Sequence, residues 1–504
     1  MKMTIGKNIL ANAIGRVWHA IMSFAFVPIF VKLLGEESYG IVTFFAVMQT
    51  VLNLMGVGLQ KTIRREFTNT GEDIESINLH KYKLLRSCEL IYLIVCLIIF
   101  FLCYYGSDFI ANKWLNYDTL DSKTVAYSII LMGLSIGLQL LANLYIGGVF
   151  GLDLQVLANV MQTAWATIKN ACVVPILYLT EGNILYFYIW MVLCDFLYVV
   201  VLRITLLQKI PTGITKKWQF RDLRILINIW KYAGGLFLIS IGSILNTQLD
   251  KIILSKTLTV IDCGAYNSVF HLGSFTAFIP SIIGTAIFSN ISSLLFQNKN
   301  DDAEKIFIPM NRLAVICVSV MASFMALFSY EIILVWTGSE TYANITKFAA
   351  PLVILGYMLN AFQQVPYDYL LAKGITRLNQ IALFFSIPYV CIVTYYLTTR
   401  YGVLGASIAW FTQLLIVTTF YLLAFYKICF NKSGLKWLIV ENYGIFILSF
   451  IPAVCLRLLV NHINFQPVFI IGLALIFSAL TFSVLLLSIE KNTIIGLIQK
   501  RRGL

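Results

Sequence analysis

The sequence predicts an all-α polytopic membrane protein of about fourteen transmembrane helices, arranged as two six-helix lobes and a two-helix C-terminal tail. Three observations carry this. The 504 residues are 59% hydrophobic and only 12% charged, with a mean hydropathy of +0.83, whereas a soluble domain of this size needs far more charge to cover its surface. Apolar stretches of the roughly 20 residues that a spanning helix requires recur from end to end. Lysine and arginine are shared very unequally between alternate loops.

In order, the spans fall near 10–34, 41–59, 84–105, 124–147, 156–180, 184–207, 227–249, 266–294, 310–336, 345–371, 378–399, 403–426, 440–460 and 467–488. The first is too long for the apolar core of a signal peptide, and a second span follows at once, so no cleaved leader is expected. An even span number puts both termini on one side. With that side taken as cytoplasmic, terminal segments and inner loops, counted with the span ends beside them, hold 26 of the 37 Lys and Arg, outer loops counted the same way hold seven, and four lie deeper within spans. The net charge of +13 is therefore a topology signal in an inner-membrane protein with both termini inside, not a nucleic-acid footprint. The same basic loops can contact anionic membrane lipids.

The longest outer loop, about 106–123, is under twenty residues, and the inner loops are also modest. No extramembrane segment is large enough to fold as a catalytic domain, so an enzyme is not expected. Ten cysteines are scattered without a CxxC, Cys88, Cys96 and Cys103 on one helix, and read as small buried hydrophobes. His19, His80, His271 and His462 make no metal-ligand spacing, so no metal or cofactor is expected.

The stretch "LQKIPTGITKKWQFRDLRI" (207–225) combines Pro211 and Gly213 with a basic amphipathic run, and reads as an interfacial connector. It divides the chain into a lobe at 1–208, a lobe at 209–426 and a tail at 427–504. A weak repeat agrees: "LLGEESYGIVTFF" and "TLTVIDCGAYNSVF" each end one span and open the next, with Gly40 and Gly264 in register. Repeated bundles are a transporter architecture, with the substrate path at their interface.

These segments also carry a resemblance. "LLGEESYGIVTFFAVMQTVLNLMGVGLQKTIRREF", "QLDKIILSKTLTVIDCGAYNSV", "DYLLAKGITRLNQIAL" and "YGVLGASIAW" together resemble, in order over about 1–426, the O-antigen flippases of the multidrug/oligosaccharidyl-lipid/polysaccharide exporter superfamily. The resemblance implies a two-lobed bundle that carries an undecaprenyl-diphosphate-linked sugar unit outward by alternating access, in polysaccharide or lipopolysaccharide synthesis. Its partners would be the lipid-linked oligosaccharide, membrane lipids, H⁺ or Na⁺ as coupling ion, and a polysaccharide polymerase with chain-length machinery.

Ionisable residues inside spans cost roughly 2.5–3.5 kcal/mol each at a helix centre, so each needs a partner, a cavity or a nearby interface. Arg86 and Glu89, three apart, are expected to pair; Glu331, Arg457 and Asp368 lie near span ends and read as structural. In span one, Asn8, Asn12, Arg16, His19 and Ser23 form a continuous polar stripe at helical spacing. In span seven, Asn228, Lys231, Gly235, Gly242, Asn246 and Asp250 fall near one face. Two readings stay open for both stripes: helix–helix hydrogen bonding, or a cationic cavity lining whose guanidinium grips the substrate diphosphate. Near the midplane, Lys169 and Asp195 sit on consecutive spans. They form either a structural ion pair or a functional one, with Lys169 offered to phosphate and Asp195, like Asp250, to the coupling ion.

Two rivals remain. A cation-coupled multidrug exporter on the same scaffold would prefer carboxylates in span one, which has none. A polysaccharide polymerase, ligase or lipid-linked glycosyltransferase would need a large outer loop or a nucleotide-sugar domain, and the sequence shows neither.

Overall fold

A computed structural model describes residues 15, 18, 21–22, 24–68, 74–210, 219–430, 434–463 and 465–489. The chain forms two compact units, Met1–Gly264 and Ala265–Leu504. Among the described residues there are no β-strands, only an isolated bridge between Asn116 and Thr259.

In the first unit the helices are α1 (Phe24–Leu34), α2 (Glu36–Phe67), α3 (Ile74–Phe109), α4 (Ser122–Gly151), α5 (Gln155–Ala171), α6 (Val173–Leu179), α7 (Ile184–Lys209) and α8 (Ile225–Thr257). The predicted spans two to seven each coincide with these, span five being α5 and α6 in succession. The described continuous part of span one is α1.

The unit is built around α4. Twenty of its thirty residues are buried, and it packs against α2, α3 and α7. Lipid tails give apolar helices no hydrophobic reason to associate, so close backbone approach through small residues does that work. A Cβ at Gly137 would lie 2.4 Å from the Sγ of Cys96 on α3, and one at Gly151 would lie 2.7 Å from the carbonyl of Arg64 on α2. Gly137→Ala is therefore expected to cost about 1–3 kcal/mol through overpacking. Adding Cys96→Ala should recover most of it, as read by thermal melting of the solubilised protein. A double variant no more stable than Gly137→Ala alone would show that this contact is not limiting.

At one end of the unit a polar clasp gathers three connections. The side chain of buried Glu37 accepts from the backbone N–H of Asp118, and from the Thr119 N–H (3.0 Å) and hydroxyl. The Val260 N–H donates to the Asn116 carbonyl at 2.9 Å, and Asn116 Nδ2 donates to the Leu258 carbonyl at 3.2 Å. Gly40 makes the approach possible: a Cβ there would lie 2.1 Å from the Val260 carbonyl. The two stretches aligned as a repeat thus meet at this clasp.

The chain continues with α9 (Val260–Ser274), which crosses the boundary, then α10 (Phe278–Phe296), α11 (Asn300–Leu327), α12 (Ser329–Thr337), α13 (Glu340–Thr346), α14 (Ala349–Phe362), α15 (Gln364–Ala372), α16 (Arg377–Tyr389), α17 (Tyr395–Phe430), α18 (Gly434–Leu438), α19 (Gly444–Val460) and α20 (Pro467–Ile489). Helix α11 is the centre of the second unit, packed against α10, α14, α19 and α20. The predicted spans eight to fourteen fall on these helices in order.

Spans eleven and twelve lie in one helical stretch, Arg377–Phe430. The chain reverses inside it at Gly402 (φ 59, ψ −138). Tyr389 pairs with Thr412 and Tyr421 with Asn379, both at 2.7 Å. Partners therefore recede from Gly402 on both sides, as in an antiparallel hairpin. Among the described residues eight helical stretches are long and apolar enough to cross a bilayer, or nine with the bent pair Glu340–Thr346 and Ala349–Ala372.

Candidate functional site

Four helices of the first unit each turn one face, with at least one polar side chain, to a common space. Val42, Phe45, Ala46 and Gln49 lie on α2; Gln139, Ala142, Asn143 and Ile146 on α4; Gln162, Trp165, Ala166, Lys169 and Asn170 on α5; and Phe187, Met191, Asp195 and Tyr198 on α7. Each set follows the three-and-four spacing of one helical face. With Phe30 they line a cavity of about 380 Å³.

Its polar centre is the Lys169–Asp195 ion pair. Lys169 Nζ lies 2.7 Å from Asp195 Oδ1 and 2.8 Å from Oδ2. Oδ2 also accepts from the Ser135 hydroxyl at 2.5 Å and from Gln139 Nε2 at 2.9 Å. Gln49 in turn donates to Gln139 Oε1. A carboxylate buried inside a helical bundle is costly unless it is paired and hydrogen-bonded, and both oxygens of this one have donors. The two partners are unequally placed: the Lys169 side chain is 16% exposed and that of Asp195 only 4%.

Aromatic residues brace the pair. Trp165 Nε1 donates to the Cys194 carbonyl at 3.0 Å and Trp190 Nε1 to the Lys169 carbonyl at 3.1 Å, tying α5 to α7. Trp165 stacks on Tyr198, with ring centroids 5.1 Å apart and planes 14° from parallel.

Of the residues singled out in the sequence, Lys169 and Asp195 are brought together here. Asn12, Arg16 and His19 lie outside the described residues. Lys231 and Asn246 sit on α8, but their side chains also lie outside the description. Asp250 is buried on α8 and does not line this cavity. The carboxamides Gln49, Gln139, Asn143, Gln162 and Asn170 were missed. Their signal was present as helical spacing on spans two, four and five.

A second polar cluster joins α3, α4 and α7. Buried Glu89 accepts from Arg86 Nη1 at 2.5 Å, Arg203 Nε at 3.0 Å and the Tyr145 hydroxyl at 2.8 Å. The expected Arg86–Glu89 pair is thus one arm of a three-helix pin. In the second unit, Asp368 is seated against Gly284 of α10, where a Cβ would lie 1.9 Å from its Oδ2.

The sequence pattern of the family described as "Polysaccharide biosynthesis protein" matches residues 5–295, more than half of the chain. The chain belongs to that family. A second pattern, that of the MatE family, matches residues 236–397. A Shigella flexneri relative named "Putative O-antigen transporter" is 21% identical over 427 residues, covering 82% of this chain and 96% of its own. Among solved structures, the lipid II flippase MurJ in its inward closed conformation superposes with a TM-score of 0.69 at 14% identity, over 97% of this chain and 99% of that one. An inward-facing MATE-family multidrug transporter superposes at 0.65 with 12% identity, over 81% and 94%. At such identities the two structures establish the fold alone: an all-α, multi-pass membrane fold that this chain shares with them.

Proposed function

We propose that this protein is a flippase that moves undecaprenyl-diphosphate-linked oligosaccharide units from the cytoplasmic to the outer leaflet by alternating access. The observation that carries the reading is a polar cavity, with a buried and neutralised charge pair, inside a unit whose outer helices are long and apolar. The Shigella relative, named for O-antigen transport, and MurJ, named for lipid II, support the same class of cargo. A multidrug exporter for cations is disfavoured because Lys169 already occupies the carboxylate in that cavity.

In this reading the two six-span lobes, 1–208 and 209–426, alternate access, and the tail 427–504 is an accessory. Asn12, Arg16, His19, Lys231 and Asn246 form the cationic and polar lining for the diphosphate, Lys169 faces the cargo, and Asp195 and Asp250 serve the coupling ion, H⁺ or Na⁺. An inside-negative potential favours outward movement of the anionic headgroup by about 2.3 kcal/mol per charge per 100 mV, so the protein needs mainly a path and a reset. The delivered unit would pass to a polymerase with its chain-length machinery; the chain itself performs no bond chemistry.

Deleting the protein should make complete, unpolymerised lipid-linked units accumulate on the cytoplasmic face. Units lacking sugars would instead indicate an enzyme. For orientation, reporters fused after Lys216 or Lys432 should read cytoplasmic and one after Asn116 external, following the Lys/Arg excess. An external signal at Lys216 overturns both the orientation and the lobe boundary.

A further inference from the structure

We infer that the cavity of the first unit is a carbohydrate subsite, which reads a sugar residue of the cargo and not its diphosphate. The inference rests on the flippase reading for the identity of the cargo, and on the cavity alone for its chemistry.

Charge comes first. The ionised residues that line the cavity among those described are Lys169 and Asp195, and they cancel. A phosphate entering here must compete with a carboxylate already held at 2.7 Å from the ammonium. A cationic amphiphile must reach a carboxylate that is 4% exposed and already holds three donor groups. Among the described lining residues neither ion gains the unopposed partner that would repay its desolvation. A neutral polyol needs none.

Hydrogen-bonding capacity comes second. Five carboxamides from three helices line the cavity. Each carries one carbonyl acceptor and two N–H donors, and each sugar hydroxyl is both a donor and an acceptor. The Gln162 side chain makes no hydrogen bond among the described residues, and Asn170 spends its Nδ2 on the Ala166 carbonyl of its own helix. The Tyr198 hydroxyl is buried without a partner among the described residues. Polar groups left unmade inside an apolar bundle are costly, and a hydroxylated ring satisfies them.

Shape comes third. The stacked Trp165–Tyr198 pair forms a rigid plate fixed by the Trp165 bond to Cys194, suited to the C–H face of a pyranose. A volume of about 380 Å³ lies at the small end of small-molecule sites. It suits a sugar residue rather than a whole repeating unit or a polyprenyl chain. Gln162 and Asn170 then become determinants of which sugar is carried, and the diphosphate must be held elsewhere.

The test uses the full chain in lipid nanodiscs and three probes: the free neutral oligosaccharide released by mild acid from the host's own lipid-linked unit, undecaprenyl diphosphate without sugar, and tetraphenylphosphonium. Wild type should bind the oligosaccharide saturably. Gln162→Leu and Trp165→Leu should each weaken it about tenfold, with Gln162→Asn in between, while undecaprenyl diphosphate binding changes less than about twofold. Melting temperature identifies any variant that fails to fold, and Gln162→Asn, the smallest change, then decides. Absence of saturable sugar binding, variants that bind sugar like wild type, a parallel loss of diphosphate binding, or displacement of the sugar by tetraphenylphosphonium each overturns the subsite. If sugar binding behaves as expected but the deletion strain accumulates no lipid-linked units, the subsite stands and the flippase reading falls. Accumulation without sugar binding removes the subsite alone.

Discussion

Lys169→Met should deplete folded protein from the membrane several-fold, and adding Asp195→Asn should restore it. Removing the ammonium leaves a 4% exposed carboxylate with only Ser135 and Gln139 as donors. Breaking a buried pair from one side typically costs about 3–5 kcal/mol, a large part of the 5–15 kcal/mol that holds a domain together. Asp195→Asn alone should be milder, because Lys169 keeps some exposure to the cavity and its ammonium can be hydrated there. The double variant has no charge to desolvate. Abundance should therefore rank wild type and the double variant above Asp195→Asn, and that above Lys169→Met, as read by quantitative immunoblot of washed membranes. Undiminished Lys169→Met would show that the pair carries no stability. The same double variant isolates the proposed coupling role. If Asp195 handles the coupling ion, the restored protein should fail to transport; wild-type transport per inserted molecule would eliminate that role.

The positions of the spans were legible because a bilayer imposes a length and a composition, and both are written in one dimension. Arg86 and Glu89 were legible as partners because three residues make a helical near-neighbour. Arg203 and Tyr145, which complete the same pin, come from helices whose facing sides no local rule reveals. The Lys169–Asp195 pair was suggested by equal depth on adjacent spans, since charges at the midplane must find each other. The carboxamides escaped notice for a physical reason. A Gln or Asn at helical spacing is equally suited to gluing helices together, and only the convergence of α2, α4, α5 and α7 on one cavity separates the two uses. Glycines on α4 were likewise silent until the backbone distances showed which neighbours they admit.

The two-span tail shows the same limit and yields a prediction. In the sequence the tail is two further spans and Arg457 a charge near a boundary, and no local pattern links Arg312 to Glu441. In the structure the helical stretch Gly434–Val460, which ends in α19, is fastened to α11 and α12 at three depths. Arg312 holds Glu441 with both prongs of its guanidinium, Nη2 to Oε1 at 2.7 Å and Nε to Oε2. Ser323 and Ser449 meet at 3.2 Å. Arg457 Nη1 donates to Glu331 at 2.6 Å, with its guanidinium 5.3 Å from the Phe328 ring centroid. Residue numbers rise together in both columns, so the two helices run in the same direction, as the ninth and thirteenth of fourteen spans must. Arg312→Met should therefore leave the Glu441 carboxylate, on a residue 3% exposed, without its cation, at a cost of about 3–5 kcal/mol. The expected result is a lower melting temperature and faster hydrogen exchange through 439–460, both largely reversed by Glu441→Gln. An unchanged melting temperature and exchange rate in Arg312→Met would mean that the tail is held by apolar packing and the Ser323 and Arg457 contacts alone. Because bidentate geometry is specific to guanidinium, Arg312→Lys should recover only part of the stability, which separates recognition by the planar fork from simple charge neutralisation at this end of the helix pair.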